Sequence, residues 1–532
     1  MKNIVFIISL LVCVSLWGQD SPETSIQQAV DAMTEDSAVA QALVGVCVMD
    51  SKGRVLAEFN SEKMMVPASN MKLITTGAAL HILGPEYSFE TTLAHDGVIE
   101  DGILKGNLFI IGGGDPTLGS KDSIAAALDH TFAIWEKLLR DAGVRNIQGS
   151  IVGDGRYFEG PAEEPTWLWN DIGTYYGAGV TGLMFYENMQ SFSVSAGASV
   201  GEPVNIKPHY PLCPWMDFRY ACSTGVAGSG DRLYMYTSDL APVAEIRGTF
   251  GVDRAAKRVD CANKFPEYTC AHYFTEYLCR RGISCSEGAG DFKLETAWMS
   301  QAGGGTWAGK GPRDELEGMT VLGSSFSPAL ERIVFETNHA SNNVFAETLF
   351  RTLGKSLHSS ACYDSSYVAI NDAFAELGLA ELKSIRIQDG SGLSRQNLVS
   401  PEALCRFLYA MGFSPAFEIF LKSLPSPGYP GTLEYNMKGQ PESLRSRIKV
   451  KSGSMTGVRC YSGYILPSDY TDAGQDRAGA AEDAAEDAEK IEGRGIPEGA
   501  LIVSIMTNNC TSPTWKVRPL LDRLMVAIAN CN

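Results

Sequence analysis

The sequence predicts an α/β (α+β) protein in which one domain is assembled from both ends of the chain around a long β-rich insertion. Three observations lead there. Near the start, two β-like runs and a helical run follow one another across residues 40–83. Near the end, three β-like runs and a helical run fill residues 447–528. Between about 90 and 315, short β-like runs alternate with Gly/Asp turns such as Gly112-Gly113-Gly114-Asp115-Pro116 and Gly153-Asp154-Gly155. The expected limits are 20–90 for the first part of the domain, 91–315 for the insertion and 316–532 for the second part.

Residues 1–19 come first. Lys2 precedes an apolar run over 4–17, too short to span a bilayer, and Gly18-Gln19 lead into polar sequence. This predicts a secretory signal peptide removed on export. A membrane anchor and a lipoprotein signal on Cys13 are the rival readings, the second disfavoured by the bulky Val12. No later segment reaches 18 apolar residues. The mature chain is therefore expected to be exported and periplasmic, at most peripheral to the membrane, with no integral span.

Residues 25–34 are helix-like. The runs 40–48 and 55–59 flank the polar turn Ser51-Lys52-Gly53-Arg54, which predicts a β-hairpin. A helix opens across 66–72 and stops at Gly84-Pro85. Helical periodicity returns at 328–336 and 343–353. Ser400 before Pro401 is an N-cap followed by Pro in the first turn, opening a helix to Met411. Strands follow at 447–451, 460–466 and 500–507, then a helix at 517–528. Between the last two strands lies an insert, 471–495, with eight acids against three bases. It is expected as a solvated helix or a disordered loop on a hairpin tip.

Charge and cysteines narrow the function. The net charge of −18 repels nucleic acid and anionic membrane surfaces. Seven histidines and no HExxH argue against a zinc hydrolase. Thirteen cysteines fit an exported chain. Cys213, Cys222, Cys261, Cys270, Cys279 and Cys285 cluster in the insertion, where disulfides could form in many pairings; none sits in a CxxC pair. Cys47, Cys405 and Cys510 lie in apolar runs and are expected as buried free thiols.

Three short motifs carry chemistry. Ser69-Asn70-Met71-Lys72 is S-x-x-K at a predicted helix start, where positions three apart share a face and bring an amine to a hydroxyl. A serine needs such a base, and partial burial or a nearby cation lowers a lysine enough to serve. Ser341-Asn342-Asn343 is S-x-N in a loop between helices, able to present a second hydroxyl and an amide. Lys451-Ser452-Gly453 is K-S-G at the end of a predicted strand, where Lys and a hydroxyl can hold a carboxylate and Gly lets a substrate backbone approach. Ser446 and Lys449 repeat the first spacing, but in or beside a strand, where positions three apart point to opposite faces. Two decoys fail. Gly197-Ala198-Ser199-Val200-Gly201 matches G-x-S-x-G but feeds no helix, and residues 304–310 approach a P-loop whose Ser/Thr is replaced by Gly311.

In this order and on these elements, the three motifs resemble the set of the penicillin-binding D-alanyl-D-alanine carboxypeptidases/endopeptidases of low molecular mass, class C. The 269 positions between Lys72 and Ser341 are similar to the long insertion of that class. So are the segments 112–118, Gly153-Asp154, Tyr176-Gly177-Ala178 and Asp389-Gly390-Ser391-Gly392-Leu393-Ser394. Ser452 stands where the family usually has Thr, and Asn342 where Asp is common. The resemblance implies a transpeptidase-like domain, an antiparallel sheet flanked by helices. It implies an acyl-enzyme on Ser69, with Lys72 as base, Ser341 as proton relay and Asn343 holding Lys72 and the substrate amide. Lys451 and Ser452 would bind the terminal carboxylate, and the N–H groups of Ser69 and Ser454 would form the oxyanion hole. Asp171, in the loop Trp167-Leu168-Trp169-Asn170-Asp171, would bind the free amine of the stem peptide, with a loop-capping role as the equal alternative. The implied partners are peptidoglycan peptides and, as covalent inhibitors, β-lactams; no metal or cofactor is implied. A serine β-lactamase would need a deacylating base that the sequence does not supply. A non-catalytic cell-wall binding protein would not need all three motifs intact.

Overall fold

The computed structural model describes residues 21–292, 318–470 and 495–531. The expected signal peptide, the near-P-loop at 304–310 and all of the acidic insert but Gly495 lie outside the described residues.

The first sheet has five antiparallel strands in the order Val55–Phe59, Leu43–Asp50, Leu501–Asn508, Val458–Ile465, Ile448–Met455. Its central strand is buried along its whole length, so both faces must be covered. Alternation divides the side chains. Cys47, Met49 and Ile502 join the core under the helices Met71–Leu83, Asn343–His358, Tyr363–Glu376 and Pro401–Met411. Val44, Val46, Val48, Val503 and Ile505 face the helices Pro22–Thr34 and Thr514–Asn530. Met71–Leu83 is apolar on nearly every side and sits inside the helical layer, with every residue from Met71 to Leu80 buried. The expected caps form: Ser400 Oγ accepts from Ala403 N, and Gly84 ends the first central helix.

A second five-stranded sheet runs Ala289–Asp291, Ile151–Asp154, Leu108–Gly112, Glu90–His95, Thr320–Phe326. The pairing of its last two strands brings residues 90 and 326 side by side. Two three-stranded sheets lie between these ends in the sequence, one of Asn205–Pro208, Met189–Ser195 and Lys257–Ala262, the other of Asp217–Gly225, Ala241–Gly251 and Asp231–Ser238. The region expected as largely β also holds two α-helices, Leu128–Asp141 and Pro266–Arg280. Their apolar residues recur at helical spacing (Phe132, Trp135, Leu139; Cys270, Phe274, Leu278), and these side chains form one core together. The flanking Gly/Asp turns hide this period. The twelve cysteines of the described residues are free thiols, including the six of the cluster. Cys47 and Cys405 are buried as expected; Cys510 is only partly buried.

Arg351 ties the two regions together. It is almost wholly buried on Asn343–His358, and its guanidinium donates to the carbonyls of Ala361 (2.7 Å), Pro161 (3.1 Å), Val180 (3.2 Å) and Glu159. The rings of Phe158 and Tyr363 flank it at 5.0 and 5.1 Å. Arg351→Met would strip four carbonyls of their donor at a site closed to water. The expected loss is about 3–5 kcal/mol in urea unfolding, since each orphaned buried acceptor costs on the order of 1 kcal/mol or more. Arg351→Lys, with three donors instead of five, should fall in between.

Candidate active site

The chain reaches the site through a tight turn. Ala68, at φ +47°, begins a 3₁₀ turn, Ala68–Asn70, that runs into Met71–Leu83. Ser69 thus stands just before the α-helix, and Lys72 on its first turn. The turn is fixed on the sheet: Asn70 Nδ2 donates to Ser462 Oγ at 2.7 Å, which lies 2.9 Å from Ser504 Oγ.

Lys72 is fully buried. Its Nζ lies 3.2 Å from Ser69 Oγ, and it donates to Asn343 Oδ1 at 2.7 Å and to the Ser391 carbonyl at 2.8 Å. Burial depresses its pKa to about 7, although Glu347 and Asp389 pull it the other way.

The second motif lies where Asn343–His358 begins. Asn342 is the N-cap, its Oδ1 accepting from Phe345 N at 3.1 Å. Its Nδ2 donates to Glu187 Oε2 at 2.8 Å. Ser341 sits at φ +59°, a region where a non-Gly residue persists only if its surroundings fix it. Asn343 Nδ2 donates to the Tyr176 carbonyl at 2.8 Å, which leaves its Oδ1 aimed at Lys72.

The third motif lies inside the edge strand Ile448–Met455 and not at its end. Lys451 is fully buried and donates to the Ser452 carbonyl at 3.0 Å. Burial first, and then the neighbouring Lys72, hold its ammonium well below the usual lysine range. Ser452 Oγ lies 3.2 Å from Thr432 Oγ1. Gly453 has a reason within the fold itself. A Cβ there would come within 2.5 Å of the Pro67 carbonyl and 2.9 Å of Asn70 Oδ1. The Ser69 turn itself approaches this glycine.

A cavity of about 780 Å³ opens over these residues. Ser69, Ser341, Asn343, Ser452, Ser454 and Asp171 line it, whereas Lys72 and Lys451 stand behind its wall. Asp171 accepts from Tyr176 Oη at 3.2 Å; burial raises its pKa and the Arg395 guanidinium opposes this. The second S-x-x-K copy is split between a helix C-cap at Ser446 and a strand at Lys449, and the G-x-S-x-G segment joins two strands.

Several contributors lie outside the three motifs. The loop Asp389–Ser394 supplies a backbone carbonyl to Lys72. Glu347 shapes it by accepting from Ser391 N (2.7 Å) and Gly390 N (3.2 Å). Asp389 shapes it too, accepting from Gly392 N (2.7 Å), Asn397 Nδ2 (2.7 Å) and Trp167 Nε1 (2.8 Å). Burial and then Asp389 push Glu347 up to about 8. Glu347 lies four residues after Asn343 on one helix face, the one sequence signal that could have found it.

Comparison with known proteins identifies the family. The model of the D-Ala-D-Ala carboxypeptidase 3 (S13) family matches residues 26–478. A D-alanyl-D-alanine carboxypeptidase of Actinomadura sp. (strain R39) is 27% identical over 460 residues, 83% of this chain and 78% of the relative. The D-alanyl-D-alanine carboxypeptidase DacB of Haemophilus influenzae is 24% identical over 427 residues, 78% of this chain and 80% of the relative. The crystal structure of penicillin binding protein 4 (dacB) from Haemophilus influenzae shares the fold, with a TM-score of 0.72 at 19% identity over 94% of this chain and 98% of that one. A serine, a buried amine and an amide meeting at one cavity on this fold, with a family match across most of the sequence, lead to one conclusion: this chain belongs to the D-Ala-D-Ala carboxypeptidase 3 (S13) family of peptidases.

Proposed function

We propose that this peptidase cleaves the D-Ala–D-Ala bond, or a cross-link bond, of peptidoglycan stem peptides through an acyl-enzyme on Ser69, in an exported, periplasmic setting. The observation that carries this reading is the hydrogen-bond inventory of Lys72. A neutral amine has two N–H donors and one lone pair. The Asn343 oxygen and the Ser391 carbonyl take the two donors, so the lone pair is left for the Ser69 O–H. With a pKa of about 7, a large share of the amine is neutral near physiological pH.

In this mechanism Ser69 Oγ attacks the carbonyl carbon while its proton passes to Lys72 Nζ. The oxyanion is stabilised by the N–H groups of Ser69 and Ser454, aided by the positive end of the helix that follows Ser69. Ser341 then carries a proton to the leaving amine as the C–N bond breaks. Water hydrolyses the resulting ester, with Lys72 again taking a proton. The substrate's terminal carboxylate lies against Ser452, with the charge of Lys451 acting from behind. Asp171 receives the free amine of the stem peptide. β-Lactams acylate Ser69 because their amide presents the same carbonyl with strain added. No helix among the described residues is long and apolar enough to cross a membrane.

The first test maps the adduct left by labelled penicillin with mass spectrometry. It should lie on Ser69 and vanish in Ser69→Ala; an adduct elsewhere removes the assignment. Offering a pentapeptide and a cross-linked dimer then separates carboxypeptidase from endopeptidase action.

The pH profile of acylation is a second test. Protonation consumes the lone pair of Lys72, so the rate should fall as pH drops through about 7 and level off above it. A rate unchanged between pH 5 and 9 would exclude Lys72 as the base.

Asn342 gives a third. Asn342→Asp places a second carboxylate against Glu187, which burial already pushes upward. The Ser341 turn should loosen and acylation at neutral pH fall about tenfold, equivalent to about 1.4 kcal/mol. Adding Glu187→Gln, whose amide can donate to the introduced carboxylate, should restore most of the rate.

A further inference from the structure

The Trp-rich loop holds two tryptophans with opposite fates. Trp167 is buried and donates to Asp389 beneath the catalytic cavity. Trp169, two residues on, leaves 59% of its surface in water. It is not a loose side chain. Its ring stacks on Tyr236 with centroids 6.3 Å apart and planes at 26°. The loop is seated on both three-stranded sheets: a Cβ at Gly173 would stand 1.7 Å from the Met235 carbonyl of one, and Ala262 N of the other donates to the Gly173 carbonyl at 3.0 Å.

Tyr236 belongs to the three-stranded sheet of Asp217–Gly225, Ala241–Gly251 and Asp231–Ser238. One face of that sheet puts Met235, Ala244 and Ile246 into a core. Alternation places Tyr234, Tyr236, Glu245, Arg247 and Arg219 on the other. The Arg247 guanidinium lies 5.4 Å from the centre of the Tyr236 ring and pairs with Glu245 at 2.9 Å. Arg219 pairs with Asp217 at 2.9 Å. These arginines are matched by acids, so the face offers little net charge to a polyanion or an anionic lipid. It offers flat aromatic rings beside charged groups with spare hydrogen-bonding capacity.

This combination fits a chain of uncharged sugars. The C–H bonds on the flat side of a pyranose ring pack on the electron-rich face of an aromatic ring. Hydroxyl and acetamide groups at the ring edge hydrogen-bond to guanidinium and carboxylate. The face is also continuous with the catalytic cavity: Leu168, Asn170 and Asp171, on either side of Trp169, line it. A stem peptide seated there hangs from a glycan strand, which must leave the cavity across some part of its rim. We propose that Trp169, Tyr236 and the solvent face of this sheet bind the N-acetylated glycan strand that carries the stem peptide. The proposal deepens the peptidoglycan reading above and rests on it.

The experiment compares full-length protein on a free stem pentapeptide and on the same pentapeptide attached to its disaccharide. The native KM should be at least fivefold lower for the glycan-linked form. Trp169→Ala and Tyr236→Ala should each erase most of that ratio. A native ratio near one, or variants that raise both KM values equally, would overturn the proposal. A second arm measures co-sedimentation with peptide-free glycan strands, which requires no catalysis. Binding lost in both variants supports the surface even if neither peptide is cleaved; no binding by the native protein overturns it even if both are. Should either substitution unfold the chain, Tyr234→Ser on the same face serves in both arms and is expected to change them in the same direction.

Discussion

The site depends on a fully buried amine. Lys72 loses its water on folding, and a lysine in such a place is driven toward the neutral state. Its remaining polar contacts decide what that neutral state can do. Two acceptors from distant parts of the chain, Asn343 and the Ser391 carbonyl, arrive 271 and 319 residues away in sequence. Each removes one donor and so orients the lone pair. Much of the surrounding architecture fixes those two acceptors. The Tyr176 carbonyl orients Asn343, and Glu347 and Asp389 shape the loop that presents Ser391. The same two acids set a limit in the other direction, since their charge favours protonated Lys72. The pKa of about 7 is the balance between desolvation and their field.

Position in the fold explains why this balance is stable. The Ser69 turn is wedged between a buried helix and the edge strand Ile448–Met455, with Gly453 removing the one side chain that would hold them apart. Ser69 therefore faces a cavity while Lys72 faces the core. A Ser–Lys pair on a surface helix would have equal spacing but a solvated lysine, charged at neutral pH. The catalytic potential lies in the burial and not in the spacing.

That distinction marks what the sequence could and could not tell. Side-chain signatures were legible: Ser400-Pro401 opened its helix where expected, and the hairpin over 43–59 and the five strands of the all-antiparallel sheet were found within a few residues. The three motifs were legible because each is a side-chain pattern. The roles of the backbone were not: the segments holding Tyr176 and Ser391 are similar to family segments, but no residue type says that its carbonyl meets Asn343 or Lys72. Glu187 was missed for a related reason: it sits at φ +54° between two further residues of positive φ, and an ordinary glutamate does not announce such a backbone. The helices Leu128–Asp141 and Pro266–Arg280 were missed although their period is plain, because short turns on both sides read as β texture. Burial decides the last case, Lys451. Its motif suggests a direct ligand for a carboxylate, yet the side chain is enclosed, whereas Ser452, Ser454 and Met455 of the same strand line the cavity.

The two buried amines also act on each other. Lys451 is depressed by its own burial and then by Lys72. In the empty site, two cations so close are disfavoured, and each proton bound by one amine makes the other harder to protonate. In the proposed mechanism, a substrate carboxylate at Ser452 would change the order of preference. It would stabilise the charged form of Lys451, the amine of the third motif, and a charged Lys451 would push Lys72 further toward the free base. Occupation of the carboxylate pocket and readiness of the nucleophile are then coupled through the repulsion of two lysines. A substrate lacking that carboxylate would meet a Lys72 that remains more often protonated. Selectivity for a free C-terminus would in this way enter through the chemical step as well as through binding.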